Sequence, residues 1–538
     1  MNRRECISGL IGLVAAGLSP RLARSTSLFD GRDMDPMRPK KVQVAPGLDF
    51  RKVATMGDVM SADGAVFGSG ADYVAAIPLD SPGRMLLWVN HSAPPARLDE
   101  VARWSFLDHM PTMDDVLDYM GASVIEVESQ SNGAWKLVPN SNIAWRITGR
   151  MPDLTTTGPA ASLIGKTRPG SIRNGAGAVT PWGTVISGEK DIGHHVPESP
   201  GTRDGKIGIS GEVEDDRKPG ATGEYHGWMM EADPRDSKWQ PRLHTSLGRF
   251  RHGAAEVVAQ HNRPLRVYMT DERPLGGLWR FESRDDWKKD MGRDEGSKLL
   301  TEGTLSVARF LDGQGGRWLP VELDTELRRR SRNAALWRAR SFDIPVAFRE
   351  TAAEAKRLSE VYKTEGALRV DAWLGGLLVG GSPLGRPQGL AQVGEALYLS
   401  LADNTGTQGT RMAPPIGVDV PSGAVVRIID GGRRFDWSVP LRAGDQIGFP
   451  GPLARDSEEA LLIATAAEPS ETAAGPWGNN ALYRLKPTGA VRYAVAPGPA
   501  SFGQPAVSPD GKTVFCSLRT PHPLWGAPTL LCIYKDKR

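Results

Sequence analysis

Residues 177–189 read GAVTPWGTVISGE, and residues 227–234 read GWMMEADP. The first stretch is an apolar run that turns near Gly183 and returns as a second run, and the 227–234 stretch supplies a third. A unit of this kind cannot bury its apolar faces alone, because each short strand needs neighbours on both sides. The pattern therefore predicts one blade of a larger all-β assembly.

Five further stretches of the chain have the same internal order. The six pairs of runs are 84–90 with 122–129, 177–189 with 227–234, 254–272 with 276–283, 389–404 with 424–431, 452–466 with 480–495, and 505–519 with 529–535. The 62 glycines and 41 prolines of the chain supply the many turns that short strands need. We predict an all-β protein, a β-propeller of about six blades. A pair of stacked β-sandwiches is the alternative that the same strands could build.

Two regions interrupt the strand pattern, at about residues 96–120 and 284–385. We expect them to be helical or irregular insertions in a single propeller domain that covers residues 26–538. Within the second, residues 351–362 read TAAEAKRLSEVY, with good helix formers and a capping pattern at Thr351 and Glu354.

The first 25 residues have the character of an export signal. Arg3 and Arg4 precede a short apolar run at residues 7–18, and a small-residue cleavage site follows at Ala23-Arg24-Ser25. The paired arginines indicate the twin-arginine export machinery as a partner; an ordinary secretory signal is the alternative. The apolar run is too short to span a bilayer, so we expect a periplasmic or secreted protein without stable membrane insertion.

The charge balance and the cysteine content exclude several classes of function. With 66 basic and 63 acidic residues, the net charge of +3 gives no footprint for nucleic acid or for an anionic membrane. Beyond the signal only Cys516 and Cys532 remain. They are either bridged or two separate buried thiols, and they are too few for a thiolate metal cluster.

Polar side chains recur where the predicted strands end. They are Asn90, His91, Glu189, His252, Asp271, Glu272, Arg386, Gln388, Asp403 and Asn404. A turn or a cap explains any one of them alone, but their recurrence in five units favours a polar site on the propeller axis. Carboxylate, amide and imidazole groups are ligands that suit Ca²⁺ or a first-row metal.

Several blocks of the sequence resemble, in order, those of the PhoX alkaline phosphatase family. The similar blocks are residues 174–190, 227–258, 267–283, 299–321, 385–404 and 502–515. The resemblance implies a six-bladed propeller with an axial cluster of iron and calcium, export by the twin-arginine route, and hydrolysis of phosphate esters.

The sequence departs from the family pattern at positions that bind metal in that family. The departures are Gly175 for a cysteine, Lys190 for the second acid of a C-E-E block, Ser92 in N-H-E, Gly253 in F-x-H-E, and Gln388 in R-P-E. Each removes a negatively charged ligand, and the resemblance therefore implies fewer ions than the family holds.

The hypothesis that the resemblance and these departures support is a monomeric, metal-dependent phosphoric ester hydrolase. One or two ions, Ca²⁺, Fe or Mn²⁺, would be held by Glu189, His252, Asp271, Glu272 and Asn404, with Asn90 and Gln388 as further ligands. A metal-activated water would attack phosphorus. Arg386 and Lys190 would orient the phosphoryl group of a small phosphate ester. The alternative is an inactive periplasmic propeller that acts as a binding or scaffold protein.

Overall fold

Each strand of this protein pairs mainly with the strand that follows it in sequence, as short runs joined by turns are expected to do. The computed structural model describes residues 33–92, 113–190, 223–273, 276–338, 346–402, 422–444, 447–468, 475–487, 489–519 and 528–535. Its first strands are β1 (Gln43–Val44) and β2 (Leu48–Thr55).

The strands that follow form the blades one after another along the chain. The first blade is β3 (Ala71–Pro78), β4 (Arg84–His91), β5 (Gly121–Ser129) and β6 (Trp135–Leu137), followed by β7 (Trp145–Ile147), β8 (Asp153–Thr157) and β9 (Thr167–Pro169). The second is β10 (Asn174–Val179), β11 (Val185–Glu189), β12 (Met229–Ala232) and β13 (Arg242–His244). The third is β14 (His252–Val258), β15 (Arg263–Asp271), β16 (Leu278–Trp287) and β17 (Gly303–Phe310), followed by β18 (Gly315–Pro320).

The remaining strands complete three more blades. The fourth is β19 (Pro387–Val393), β20 (Ala396–Leu401), β21 (Ala424–Asp430) and β22 (Arg434–Arg442). The fifth is β23 (Pro450–Arg455), β24 (Leu461–Thr465), β25 (Ala481–Lys486) and β26 (Gly489–Val495). The sixth is β27 (Ala506–Val507), β28 (Thr513–Leu518) and β29 (Thr529–Lys535), completed by β2. The predicted β-propeller of about six blades is confirmed.

The ring closes by pairing an early strand with the last one. β2 runs antiparallel to β29, from Leu48 opposite Lys535 to Thr55 opposite Thr529. β1 extends the fifth blade by pairing with β26, and β18 pairs with both β17 and β22, which joins the third and fourth blades at their outer edges. Propellers leave few strand edges open, and this closure pairs the edge that β29 would otherwise expose.

Short helices lie in the two regions that interrupt the strand pattern. They are α1 (Met113–Asp118), α2 (Ala161–Ile164), α3 (Arg293–Lys298), α4 (Arg329–Arg338), α5 (Val346–Glu354), α6 (Glu365–Val370) and α7 (Ala372–Val379). Residues 93–112 of the first region lie outside the described residues. The helices α5 to α7 pack on the third blade, where Leu368 and Trp373 share a core with Phe250 and Trp279. None of the described helices is long and apolar enough to cross a membrane.

The capping pattern at Thr351 and Glu354 does not begin a helix. Both residues lie in the last turns of α5, which starts at Val346, and the Thr351 hydroxyl donates a hydrogen bond to the carbonyl of Ala347. The prediction of a helix cap was wrong because threonine forms the same kind of backbone contact inside a helix.

A bulge opens the innermost strand of five blades, at one end of the propeller. The pairing register shifts after Ala71, Asn174, His252, Pro387 and Pro450, which begin or nearly begin β3, β10, β14, β19 and β23. A bulge bends its strand and re-aims the side chains beside it. We call this end, where each innermost strand begins and its neighbour ends, the axial end.

The two cysteines of the sixth blade are free and buried. In the register, Cys516 lies opposite Leu531 and Cys532 lies opposite Phe515. Because side chains alternate along a strand, the two thiols point to opposite faces of the sheet. They are therefore two separate buried thiols without a disulfide between them.

Candidate functional site at the axial end

The same backbone hydrogen bond recurs at the axial end of all six blades. The residue that follows the second strand donates its N–H to the residue that precedes the innermost strand, over 2.8–3.0 Å: Ser92 to Gly70, Lys190 to Arg173, Glu272 to Arg251, Ala402 to Arg386, Ala466 to Phe449, and Arg519 to Ser501. Four of the accepting residues have positive φ: Gly70, Arg173, Arg386 and Phe449, at 54°, 50°, 42° and 54°. Such conformations are unfavourable for residues other than glycine and cluster at functional sites.

Lys190 lies across the start of the second blade. Its aliphatic part passes directly over Gly175, where an added Cβ would be 2.2 Å from the Lys190 Cδ. Its Nζ is 2.8 Å from Oδ2 of Asp72 and 4.0 Å from Oε1 of Glu272, and its side chain is 13% exposed. The ammonium group is thus held between carboxylates of the first and third blades.

Asp72 is shared by two cations from different blades. Besides Lys190, the Arg519 guanidinium of the sixth blade donates from Nε to Oδ1 of Asp72 over 2.9 Å. Burial by itself would raise the pKa of Asp72, but the ion pairs with Arg519 and Lys190 outweigh burial and lower it. Asp72 is therefore ionised at any pH at which the protein is expected to work.

Glu189 is fully enclosed by hydrogen-bond donors. Its Oε1 accepts from Arg168 Nη2 at 2.7 Å, from the Ser171 hydroxyl at 2.9 Å and from the Ile172 N–H at 3.0 Å, and its Oε2 accepts from the Gly227 N–H at 2.6 Å. Burial opposes ionisation, but Arg168 holds the pKa of Glu189 well below its usual range. The carboxylate that was predicted to bind metal thus already has protein partners.

His252 and Asp271 are register partners at the start of the third blade. Both ring nitrogens of His252 are buried without a hydrogen-bond partner of normal geometry among the described residues, and burial lowers its pKa to about 3. Asp271 accepts from Arg273 Nε at 2.9 Å, and the Arg273 guanidinium lies 4.8 Å from the centre of the Trp373 ring of α7. The imidazole is therefore neutral and available, whereas the neighbouring carboxylate is paired.

Asn90 and His91 hold the first two blades together. The Asn90 Oδ1 accepts from Trp88 Nε1 and from the Ser187 hydroxyl, and its Nδ2 donates to the Ala176 carbonyl at 2.7 Å. The His91 ring nitrogens contact the Ser69 carbonyl and the Ser123 hydroxyl. These bonds use both lone pairs of the amide oxygen that was predicted as a ligand.

Arg386 and Gln388 lie at the start of the fourth blade. Arg386 Nη2 donates to the Ala466 carbonyl over 3.3 Å and lies 3.5 Å from Oε1 of the exposed Glu468. The Oε1 of Gln388 is buried and has no hydrogen-bond partner in the part of the chain that the structure describes. Asp403 and Asn404, which the sequence also marks, lie outside that part.

The described residues do not fit the metal cluster that the family resemblance implies. They contain no group of three or more His, Cys, Asp and Glu side chains placed to hold one ion. Glu189, Asp271 and Asp72 each have a cationic partner, and the candidate ligand atoms without a partner in this part of the chain are neutral: the His252 nitrogens, Asn174 Oδ1 and Gln388 Oε1. Cation affinity rises with the charge of the ligands, so this set suits several highly charged ions poorly.

Similarity to known proteins supports the same interpretation of the fold. The family profile described as "Alkaline phosphatase PhoX" matches residues 29–522, which is most of the chain. The chain belongs to the PhoX alkaline phosphatase family. Pseudomonas fluorescens PhoX in complex with vanadate, a transition state analogue, has a TM-score of 0.73 and 20% identity, with 94% of this chain and 98% of that chain covered. At this identity, the likeness to the PhoX structure shows the fold.

Weaker similarity extends to other solved structures. A protein of unknown function from Dyadobacter fermentans has a TM-score of 0.39 at 11% identity, with 91% of this chain and 100% of that chain covered, a score too low to support an argument. No curated protein matches the chain.

Sequence reasoning missed four charged residues of this PhoX-family site: Asp72, Arg168, Arg273 and Arg519. Two of them could have been found by superposing the repeats. Arg519 follows its second strand as Lys190 and Glu272 do, and Asp72 is the second residue of an innermost strand, as Gly175 is. Arg168 and Arg273 lie outside these repeated positions, and no repeat signal marks them.

Proposed function

We propose that this protein is an exported phosphoric ester hydrolase that binds its substrate at the axial end. The observation that carries the proposal is membership of the PhoX family over residues 29–522. The relative from Pseudomonas fluorescens is described in complex with vanadate, a transition state analogue. By analogy, a phosphoryl group is the chemical class of substrate that we assign to this axial end.

Lys190 and Arg386 are the side chains that we assign to the phosphoryl group. Both are partly exposed at the axial end, with 13% and 21% of their side chains accessible. Charge builds up on the equatorial oxygens during phosphoryl transfer, and charge-assisted hydrogen bonds from such cations stabilise it. The neutral His252 adds a ring nitrogen, without a partner among the described residues, that can accept a hydrogen bond from a bound hydroxyl or water.

Metal dependence and the metal ligands that the sequence predicts form no step of this proposal. Glu189 and Asp271 are held by Arg168 and Arg273, so they would have to leave those partners to bind an ion. Glu272 lies beside Lys190, and Asn90 is fully hydrogen-bonded within the protein.

Export to the periplasm or beyond belongs to the same proposal. The twin arginines Arg3 and Arg4 and the short apolar run that follows them support it, as does the absence of a helix in the described residues that could cross a membrane. A fusion of residues 1–32 to a folded reporter tests this part: we expect export that fails when both arginines are replaced by lysine.

A binding protein without turnover is the second candidate. It is favoured by the pairing of Glu189, Asp271 and Asp72 with basic side chains, because a carboxylate held in this way is a poor catalytic base. This candidate would use the same axial end and the same two cations to hold a phosphate group.

Turnover and binding measured on one preparation separate the two candidates. The mature protein is assayed with p-nitrophenyl phosphate and bis-(p-nitrophenyl) phosphate, and phosphate binding is measured by calorimetry. We expect turnover whose kcat/KM falls by about 10²-fold in Lys190→Met. Lys136→Met is the matched control, since Lys136 forms a surface ion pair with Glu128. Phosphate binding without turnover supports the binding protein, and neither signal rejects both candidates.

A further inference from the structure

The position of the Lys190 side chain depends on a single glycine. With a Cβ at residue 175, the Cδ of Lys190 would be met at 2.2 Å and its Cγ and Cε at 2.8 Å, so a larger residue at position 175 would displace the lysine. The stem of Lys190 therefore lies flat on the backbone of β10, which directs the ammonium group toward the first blade.

Three blades contribute to the surroundings of this ammonium group. Asp72 of the first blade is 2.8 Å from Nζ and almost completely buried, and Glu272 at the end of β15 in the third blade is 4.0 Å away. Arg519 of the sixth blade binds the other oxygen of Asp72. Two carboxylates that converge from different blades without a cation between them would repel each other, and a buried carboxylate without a partner is costly.

We propose that the Lys190 ammonium group is the resident cation of the axial end. It neutralises Asp72 and Glu272 as a divalent ion would, and Gly175 makes room for it. The consequence is an axial end that is stable and binds anions without a metal ion. This inference deepens the proposed function and rests on it only in taking the axial end as the place where a phosphoryl group binds.

Replacing the resident cation by an acid tests the proposal directly. In Lys190→Glu, three acidic side chains from three blades meet without a cation. We expect its Tm to fall by about 5 °C in EDTA and to recover when about 1 mM Ca²⁺ or Mn²⁺ is added. The unchanged protein should hold no stoichiometric metal by elemental analysis, and EDTA should leave its Tm and its phosphate affinity unaltered.

The matched control makes the same charge change away from the axis. Lys136 is 2.8 Å from Glu128, with 46% of its side chain exposed, so Lys136→Glu alters a surface ion pair. We expect no metal-dependent recovery of this variant. The proposal is overturned if Lys190→Glu behaves like Lys136→Glu, or if the unchanged protein carries one ion per chain whose removal lowers its Tm.

A second variant keeps the test decisive if Lys190→Glu does not fold. Lys190→Met retains the stem over Gly175 and removes only the charge, so Ca²⁺ should raise its Tm while leaving that of the unchanged protein in place. A Tm that is insensitive to Ca²⁺ in both proteins contradicts the proposal. None of these measurements requires turnover, so the proposed hydrolysis can fail while the resident cation stands, and the reverse.

Discussion

At the scale of single residues, the acidic side chains at the axial end are mostly neutralised by basic side chains of the same protein. Glu189 is the most enclosed example, since Arg168, Ser171, Ile172 and Gly227 all donate to it. A buried ion pair of this kind contributes little when complete, but removal of one partner leaves a costly unpaired charge.

Glu189→Gln tests this pairing through the pH dependence of stability. The folded pKa of Glu189 is depressed, so its stabilising effect is present above the ordinary glutamate value of 4.5 and is lost as the pH falls below that value. We expect Glu189→Gln to lower the free energy of unfolding at neutral pH by about 3 kcal/mol and to flatten its fall in acid. Chemical denaturation at several pH values measures both effects.

Glu128→Gln is the control, because Glu128 forms exposed ion pairs with Arg84 and Lys136. We expect little change in this variant at any pH. Equal stability of the two variants at neutral pH would show that Arg168 does not depend on the Glu189 charge.

The residue types at the axial end could be predicted from the sequence, but their partners could not. Lys190, Glu189 and His252 were found because they end or begin apolar runs. Asp72 lies 447 positions from Arg519, and no local pattern connects residues so far apart. Only closure of the ring brings them together, so their ion pair is a property of the fold.

At the scale of elements, the regular feature is the turn into each blade. Five innermost strands open with a bulge, and four of the residues that precede an innermost strand have positive φ. The sequence shows these positions as Gly70, Arg173, Arg386 and Phe449, which share no side-chain chemistry. Strand alternation predicted the blades, but it could not predict a backbone conformation that unrelated residues adopt under tertiary constraint.

Arg386 allows the backbone and side-chain roles of such a position to be separated. Its φ is 42°, so glycine relieves strain there, whereas alanine retains the strain. We expect Arg386→Gly to be more stable than Arg386→Ala by about 1 kcal/mol in thermal unfolding. Both variants should lose phosphate affinity equally, because both lose the guanidinium. A difference in affinity between them would instead assign the effect to the backbone.

At the scale of the whole molecule, the pairing of β2 with β29 decides whether the ring is closed. The six units were visible in the sequence, but β2 was not among them, because its run LDFRKVAT has few apolar residues and stands far from the strands that it completes. The fourth strand of the third blade, β17, was likewise assigned to an insertion, since the helices that follow it hid the boundary.

Truncation tests the closure. A chain that begins at residue 56 lacks β1 and β2, and it leaves the edge of β29 open. We expect it to aggregate and to lose cooperative unfolding by circular dichroism, because an exposed edge strand pairs with other chains. A chain that begins at residue 33 keeps both strands and should unfold like the mature protein. Identical melting of the two truncated chains would show that the ring holds without its closing strand.

The placement of Cys516 and Cys532 on opposite faces of one sheet has a consequence for how the protein matures. Since the sixth blade closes by hydrogen bonds and apolar packing, its assembly requires no oxidant and no thiol exchange. The molecule can reach its final form where glutathione keeps thiols reduced, and leave as a finished particle. That is the condition that a transport route for folded cargo, such as the one its first residues predict, imposes on its passengers.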